Sequence, residues 1–338
     1  MKHLKRNAII LFVATVIVLY VVLKDDFPSI LQALSTANLW WIVVAILCYF
    51  LYLLLKSVVL YQNVKQELPH YRFYDSLRHN VITQFFNGVT PFSTGGQPME
   101  VYMLNKKGMK VSRATNLILQ TFLYYQVALV LFGFLAVVVN LKLNLFASVS
   151  ILNHFIFLGF LINTIVVIVT FVVAFFPKVD GFILRNLLTF LNKIHLIKDL
   201  PAAREKWQEH LSEFSSCANN IRQNKKMFVE GVVIHFISLA CLYIIPIFLA
   251  FSMREYHSIN VINTLIASAY TMVIGSFVPI PGASLGIEFG FMNLFGVFFK
   301  GSILPALLLI WRFITYYLGV ILGGILFCFD KGAMEKCE

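Results

Sequence analysis

The chain has 338 residues, 59% of them hydrophobic and only 13% charged, with a mean hydropathy of +0.81. Soluble domains carry about 25% charged residues, so this composition belongs to a membrane protein, and the 33 Phe and 14 Tyr suit lipid contact and interfacial belts. The net charge of +11 does not point to nucleic acid, because the positive residues sit in loops between apolar spans and no soluble basic domain remains to carry such binding.

Six stretches are long and apolar enough to cross a bilayer core, which needs about 20 residues: 7–23, 38–60, 115–139, 152–176, 227–251 and 303–329. The first follows Lys2, Lys5 and Arg6 as a signal peptide would. The sequence Lys24-Asp25-Asp26-Phe27-Pro28 offers no small-residue cleavage site, so this stretch is read as an uncleaved transmembrane helix. Two segments between the spans, 72–104 and 259–300, are broken by Gly and Pro. Loop charge orients the chain. With the N-terminus inside, 61–80 (Lys65, Arg72, Arg78) and 105–113 (Lys106, Lys107, Lys110, Arg113) both fall inside. The stretch between them must enter and return on one side, and its arms are too short for two crossings. It is expected to be a re-entrant hairpin with its tip at 87–98. The next two spans bring the chain back to a basic segment, 177–226, with nine Lys or Arg against five acids. Span 227–251 then goes out and 303–329 comes in, ahead of Lys331 and Lys336. Segment 259–300 therefore begins and ends outside, either as a second re-entrant hairpin or as two full crossings meeting at 279–286. Of 27 Lys and Arg, the outside loops hold only Lys24, Lys142 and Arg254. The expected fold is all-α: one polytopic transmembrane domain over 1–338, with about six full transmembrane helices plus two broken helical hairpins, up to eight crossings. Both termini are expected on the cytoplasmic side.

The breaks carry the functional signal. The first reads Asn87-Gly88-Val89-Thr90-Pro91-Phe92-Ser93-Thr94-Gly95-Gly96-Gln97-Pro98. An interrupted helix in a membrane leaves backbone polar groups without partners, which is tolerable only inside protein or beside a watery cavity. A pair of breaks, one in each half of the chain, points to a transport site. Gly88, Gly95 and Gly96 permit unusual backbone shapes, and Pro91 and Pro98 stop helices. Asn87, Thr90, Ser93, Thr94 and Gln97 supply hydrogen-bonding groups. One reading is a polar cradle for a lipid head group, with N–H groups at a half-helix start attracting phosphate. The plainer reading is a kinked turn satisfied by its own side chains. The number of polar groups at depth weighs toward the cradle.

The second break reads Pro279-Ile280-Pro281-Gly282-Ala283-Ser284-Leu285-Gly286-Ile287-Glu288. Its Gly282 to Gly286 run matches G-x-S-x-G, but a nucleophile elbow needs a strand–turn–helix setting, and apolar helix surrounds this one. Glu288 and Arg312 are costly residues, since a charge at mid-membrane costs at least about 2.5–3.5 kcal/mol on insertion scales. They are expected to pair, as a structural ion pair or as part of a site where Arg312 meets an anionic head group and Glu288 balances it. Glu100 is a weaker candidate that reaches the interface, and Lys56 snorkels to the inner surface. The histidines lack ligand spacing, and His235 on an apolar helix reads as structural. No phosphate-binding loop, dinucleotide fingerprint or cysteine framework is visible, so no cofactor and no metal are expected. Gly319-x-x-x-Gly323 reads as close helix packing.

At these breaks the chain resembles the lysylphosphatidylglycerol synthase transmembrane region family, the flippase-like membrane domain of the multiple peptide resistance factor. The resemblance rests on Asn87 through Pro98 with Val101-Tyr102, on Pro279-Ile280-Pro281-Gly282 with Gly286 and Glu288, and on Trp311-Arg312 with Tyr316-Tyr317. It implies a multi-pass protein of the bacterial plasma membrane that flips a phospholipid or lipid-linked substrate, aminoacylated phosphatidylglycerol in the full-length factor. The substrate-binding residues it implies are Asn87, Thr90, Pro91, Gly95, Gly96, Gln97, Glu100, Pro279, Pro281, Gly282, Gly286, Glu288 and Arg312. Relatives carry a basic or amide residue near Glu100, so an acid there sets this chain apart. The soluble synthase domain of the full-length factor is not expected here, and with it goes lysyl transfer from tRNA. The alternative function is a membrane module that partners a separate lipid-modifying synthase. Expected partners are a membrane phospholipid, such an enzyme, or a second copy of the chain.

Overall fold

The computed structural model describes residues 34–146, 219–275 and 280–329, with Gln32, Val278 and scattered helical positions from 156 to 168. The expected spans 7–23 and most of 152–176, and most of the basic segment 177–226, lie outside the described residues. Every described element is helical, as the apolar periodicity requires.

Helix α1 (Leu39–Glu67) starts where the Asn38 side chain accepts from the Trp40 N–H at 3.0 Å. It runs 29 residues without Gly or Pro, about 43 Å at 1.5 Å per residue, and buries Ala45, Tyr49, Tyr52, Leu53, Ser57, Leu60 and Val64 along one face. Helix α2 (Phe73–Val89) and helix α3 (Gly96–Lys106) are the arms of the first broken segment, joined by a 3-10 turn at Pro91–Ser93. At 17 and 11 residues both fall short of a full crossing. Lys107 Nζ lies 2.8 Å from Asp75 Oδ1, which ties the end of α3 to the start of α2 and closes the hairpin. Helix α4 (Val111–Leu143) follows, and Arg113 at its start pairs with Glu67 at the end of α1. The ends of α1 and α3 and the starts of α2 and α4 therefore share one basic end of the molecule.

Helices α5 (Lys225–Tyr243) and α6 (Ile245–Ser252) form one span with a kink. Pro246 has no N–H to give the Leu242 carbonyl, the Ile247 N–H turns to the Ile244 carbonyl at 3.1 Å, and the Tyr243 carbonyl accepts from Ser268 Oγ at 2.7 Å. The span ends opposite the basic end, where the Asn38 N–H donates to the Ser252 carbonyl at 2.8 Å. From there the second broken segment begins: α7 (Val261–Gly275), a 3-10 turn at Pro281–Ala283, and α8 (Gly286–Phe295). At 15 and 10 residues its arms are also too short to cross, and they pack side by side. Of the two geometries open in the sequence, the structure has the re-entrant hairpin. Phe146, just past α4, packs at a tilt on Tyr270 and edge-on to Phe298, and so ties the end of α4 to this hairpin. The last span is α9 (Ile303–Arg312), a π turn at Phe313–Tyr317 and α10 (Leu318–Cys328). Helix α10 packs closely on α2: a Cβ on Gly323 would stand 2.4 Å from the Val81 carbonyl oxygen.

Two hairpins thus enter from opposite ends of a helical bundle. Four described helical segments are long and apolar enough to cross a membrane. The chain is a multi-pass membrane protein.

Candidate functional site

The two hairpin tips meet, the second buried at Pro281 and Gly282 and the first exposed from Pro91 to Thr94. Their backbones run alike from Thr90 to Ser93 and from Ile280 to Ala283. They then part, Thr94 and Gly95 being helical (φ −82 and −80) where Ser284 is extended (ψ 152) and Leu285 has a positive φ (73). Thr90 and Ile280 are extended (φ −114, ψ 144 and φ −105, ψ 143). Pro91 and Pro281 then open the turns. Phe92 and Gly282 are left-handed (φ 53 and 68), and so are Ser93 and Ala283 (φ 54 and 51). Helices α3 and α8 restart at Gly96 and Gly286, five residues after each proline. The shared spacing is Pro-x-x-Thr/Ser-x-Gly, with Thr94 and Ser284 at the polar position. This repeat is short enough to be lost among the apolar residues around it, but it is present in the sequence.

Tyr316 and Arg312 join the tips. Both sit at the π turn of the last span, one wide helical turn apart, and π turns often mark functional positions. Tyr316 Oη donates to the Gly88 carbonyl of the first hairpin at 2.8 Å. Its ring fills the space beside Gly282 of the second, where a Cβ would stand 2.3 Å from Tyr316 Cζ. Arg312 stacks on the same ring, 4.5 Å from its centroid. Its Nη2 donates to the Gly282 carbonyl at 3.0 Å and to Ser284 Oγ at 3.2 Å. Its Nε stands 2.8 Å from Glu288 Oε1, a charge contact whose N–H is not aligned as a hydrogen bond. Both charged side chains are buried, at 6% and 7% exposure. Glu288 Oε2 is buried and has no hydrogen-bond donor among the described residues.

The sequence-nominated residues divide accordingly. Pro281, Gly282, Gly286, Glu288 and Arg312 come together at the second tip, and Pro91, Gly95 and Gly96 shape the first. Pro279 lies outside the described residues. Asn87 and Thr90 turn an acceptor onto the hairpin's own backbone: Asn87 Oδ1 accepts from the Gly96 N–H at 3.0 Å and Thr90 Oγ1 from the Gly95 N–H at 2.9 Å. These side chains cap α3 and occupy N–H groups that the cradle reading had offered to phosphate. Gln97 remains exposed on the outer side of the tip.

Glu100 and Lys56 are turned into the bundle, not out to the interface. Lys56 Nζ lies over the Tyr52 and Tyr125 rings, 5.4 and 5.6 Å from their centroids. Lys56 is within electrostatic reach of both Glu100 and His235. His235 stands edge-on to Tyr125, and both its ring nitrogens are buried without a partner among the described residues. No His, Cys, Asp or Glu cluster among the described residues has the makings of a metal site. Tyr316 was missed as a site residue, because its role depends on two glycines more than thirty positions away.

A helical bundle with two opposed re-entrant hairpins whose tips meet beside Tyr316, and with a buried ion pair between the second hairpin and the last span, is a polytopic membrane protein. The chain belongs to the family described as the lysylphosphatidylglycerol synthase TM region, whose model matches residues 7–323. It is also similar to an uncharacterized protein, MG306, of Mycoplasma genitalium, at 26% identity over 172 residues, 50% of this chain and 44% of that protein. An uncharacterized MG306 homolog of Mycoplasma pneumoniae matches at 26% identity over 103 residues, 30% of this chain and 26% of that protein. The matched part is thus less than half the length of either relative.

Proposed function

We propose that this chain carries the head group of a phospholipid between the leaflets of a bacterial plasma membrane, with its basic end toward the cytoplasm. The observation that carries this reading is the meeting of the opposed tips, bridged by Tyr316, next to the buried Glu288–Arg312 pair. Paired broken helices that meet at depth are how transporters place a polar site in a bilayer. The acyl chains stay in lipid while the head group passes the tips.

The charges suit a zwitterionic or aminoacylated head group. Glu288 Oε2 has acceptor capacity to spare, which an ammonium group would use. Arg312 holds the second tip through Gly282 and Ser284, and a phosphate that competes for its guanidinium would loosen that hold. Aminoacylated phosphatidylglycerol, the lipid that the family description suggests, carries both groups. No catalytic step is assigned to the tips: Ser284, the serine of the G-x-S-x-G run, accepts from Arg312.

The test is reconstitution of the full chain in liposomes with a fluorescent phospholipid in both leaflets. Dithionite should bleach the inner pool through the wild-type protein and not through Arg312→Gln at equal incorporation. Transport by the variant at the wild-type rate would overturn the role of Arg312. No transport by the wild-type protein, together with co-purification of a lipid-modifying synthase, would make the chain a partner module instead.

A further inference from the structure

Between the tips and the basic end, three helices bring ionisable side chains of both signs close together without pairing them. Lys56 lies on the face of α1 that buries Tyr49, Tyr52 and Leu60, about 16 Å along the helix from its basic end. His235 lies on the buried face of α5, about 15 Å in from Lys225. Glu100 lies one turn after the start of α3, on the side that buries Gly96, Met103 and Leu104. Lys56 and His235 therefore stand well inside a hydrocarbon core about 30 Å thick. Ionisable groups at such depth are expensive, and they face a partner or a cavity.

Their hydrogen-bonding capacity is unmet within the chain. The Lys56 ammonium lies over the Tyr52 and Tyr125 rings, and among the described residues its three donors have no acceptor and no carboxylate touches it. His235 is 3% exposed, and neither ring nitrogen has a partner among the described residues. A neutral imidazole carries one donor and one acceptor, so one of each is left over there. Glu100 is within electrostatic reach of Lys56 without contact, and it shares the Thr83 hydroxyl with the His79 carbonyl. A carboxylate has about four acceptor positions, so most of its capacity remains. Lys56, Glu100 and Tyr125 are partly exposed, which leaves the space between the charges open to a ligand. A simple anion there would meet the Glu100 carboxylate, and a simple cation would meet Lys56. A molecule that carries both signs suits all three side chains.

We propose that Lys56, His235 and Glu100 form a second head-group site, for a phosphodiester that carries an ammonium arm. The phosphate takes the Lys56 ammonium and a His235 N–H, and the arm takes the Glu100 carboxylate. The inference rests on the reading of the tips for its place on a lipid path. Its test reads binding and not transport, so the two fail separately.

The experiment is native mass spectrometry of the full chain from micelles holding phosphatidylethanolamine and phosphatidylglycerol in equal amounts. Glu288→Leu with Arg312→Met first removes the charges beside the tips. That variant should still retain phosphatidylethanolamine about tenfold over phosphatidylglycerol, the worth of one charge-assisted hydrogen bond. Adding Glu100→Gln should bring the ratio to parity, and adding Lys56→Met should lower retention of both lipids about fivefold. In the otherwise wild-type chain, which serves if the double variant does not fold, Glu100→Gln should lower the ratio at least threefold at an unchanged unfolding midpoint. Free glycerophosphoethanolamine should displace the lipid, and inorganic phosphate should not. Displacement by phosphate alone would overturn the role of the ammonium arm. Parity in the variant without the tip charges, or a preference that survives Glu100→Gln, would overturn the site, whatever the liposome assay of transport shows.

Discussion

Arg312 has three kinds of partner at once: a carboxylate, a backbone carbonyl with a hydroxyl, and an aromatic face. That makes its removal different from the removal of the pair. Taking away one member of a buried ion pair strands the other, at about 3–5 kcal/mol, whereas replacing both with apolar residues is often close to neutral. Glu288→Leu and Arg312→Met should each lower stability by about that amount, and the double variant by clearly less than the sum. Thermal unfolding in micelles measures the cycle, and strictly additive losses would show that the two side chains do not interact. The charges and their opposite sign were legible in the sequence, because ionisable residues in apolar spans are rare. Their pairing was expected from that, and they stand 2.8 Å apart. The hold of Arg312 on Gly282 and Ser284 was not legible, because it depends on how the second turn folds back. Nor was the self-capping of Asn87 and Thr90, which is decided by where the chain turns.

Among the elements, α10 and α2 make the closest approach. Gly323 meets backbone, the Val81 carbonyl at 2.4 Å from a built Cβ, whereas Gly324 meets only the Phe85 ring, at 3.2 Å. A ring can swing aside and a backbone carbonyl cannot. Gly323→Ala should therefore cost about 1–3 kcal/mol, the usual cost of overpacking, and Gly324→Ala clearly less. Unfolding midpoints of the two variants decide this, and equal midpoints would contradict the packing described. The Gly319-x-x-x-Gly323 spacing had indicated close packing without naming the neighbour, and Gly319 proves to accommodate Tyr49 of α1.

For the whole molecule, the opposed hairpins set which loops share a side. Lys110 lies at the basic end beside the first hairpin, and Tyr256 lies in the loop that leads into the second. Single cysteines at 110 and 256 in a cysteine-free chain should react with a membrane-impermeant maleimide from opposite faces, 110 from the cytoplasm. Labelling of both from one face would sink the arrangement. The sequence by itself determined the class, because about 20 apolar residues in a row have few other uses, and it located both breaks, because Gly and Pro interrupt helices wherever they stand. Loop charge separated the two ends of the bundle. Only the tertiary structure decided that the second break is a hairpin and that the tips touch through Tyr316 and Arg312. Those facts rest on contacts between residues far apart in the chain, which hydropathy and spacing do not encode.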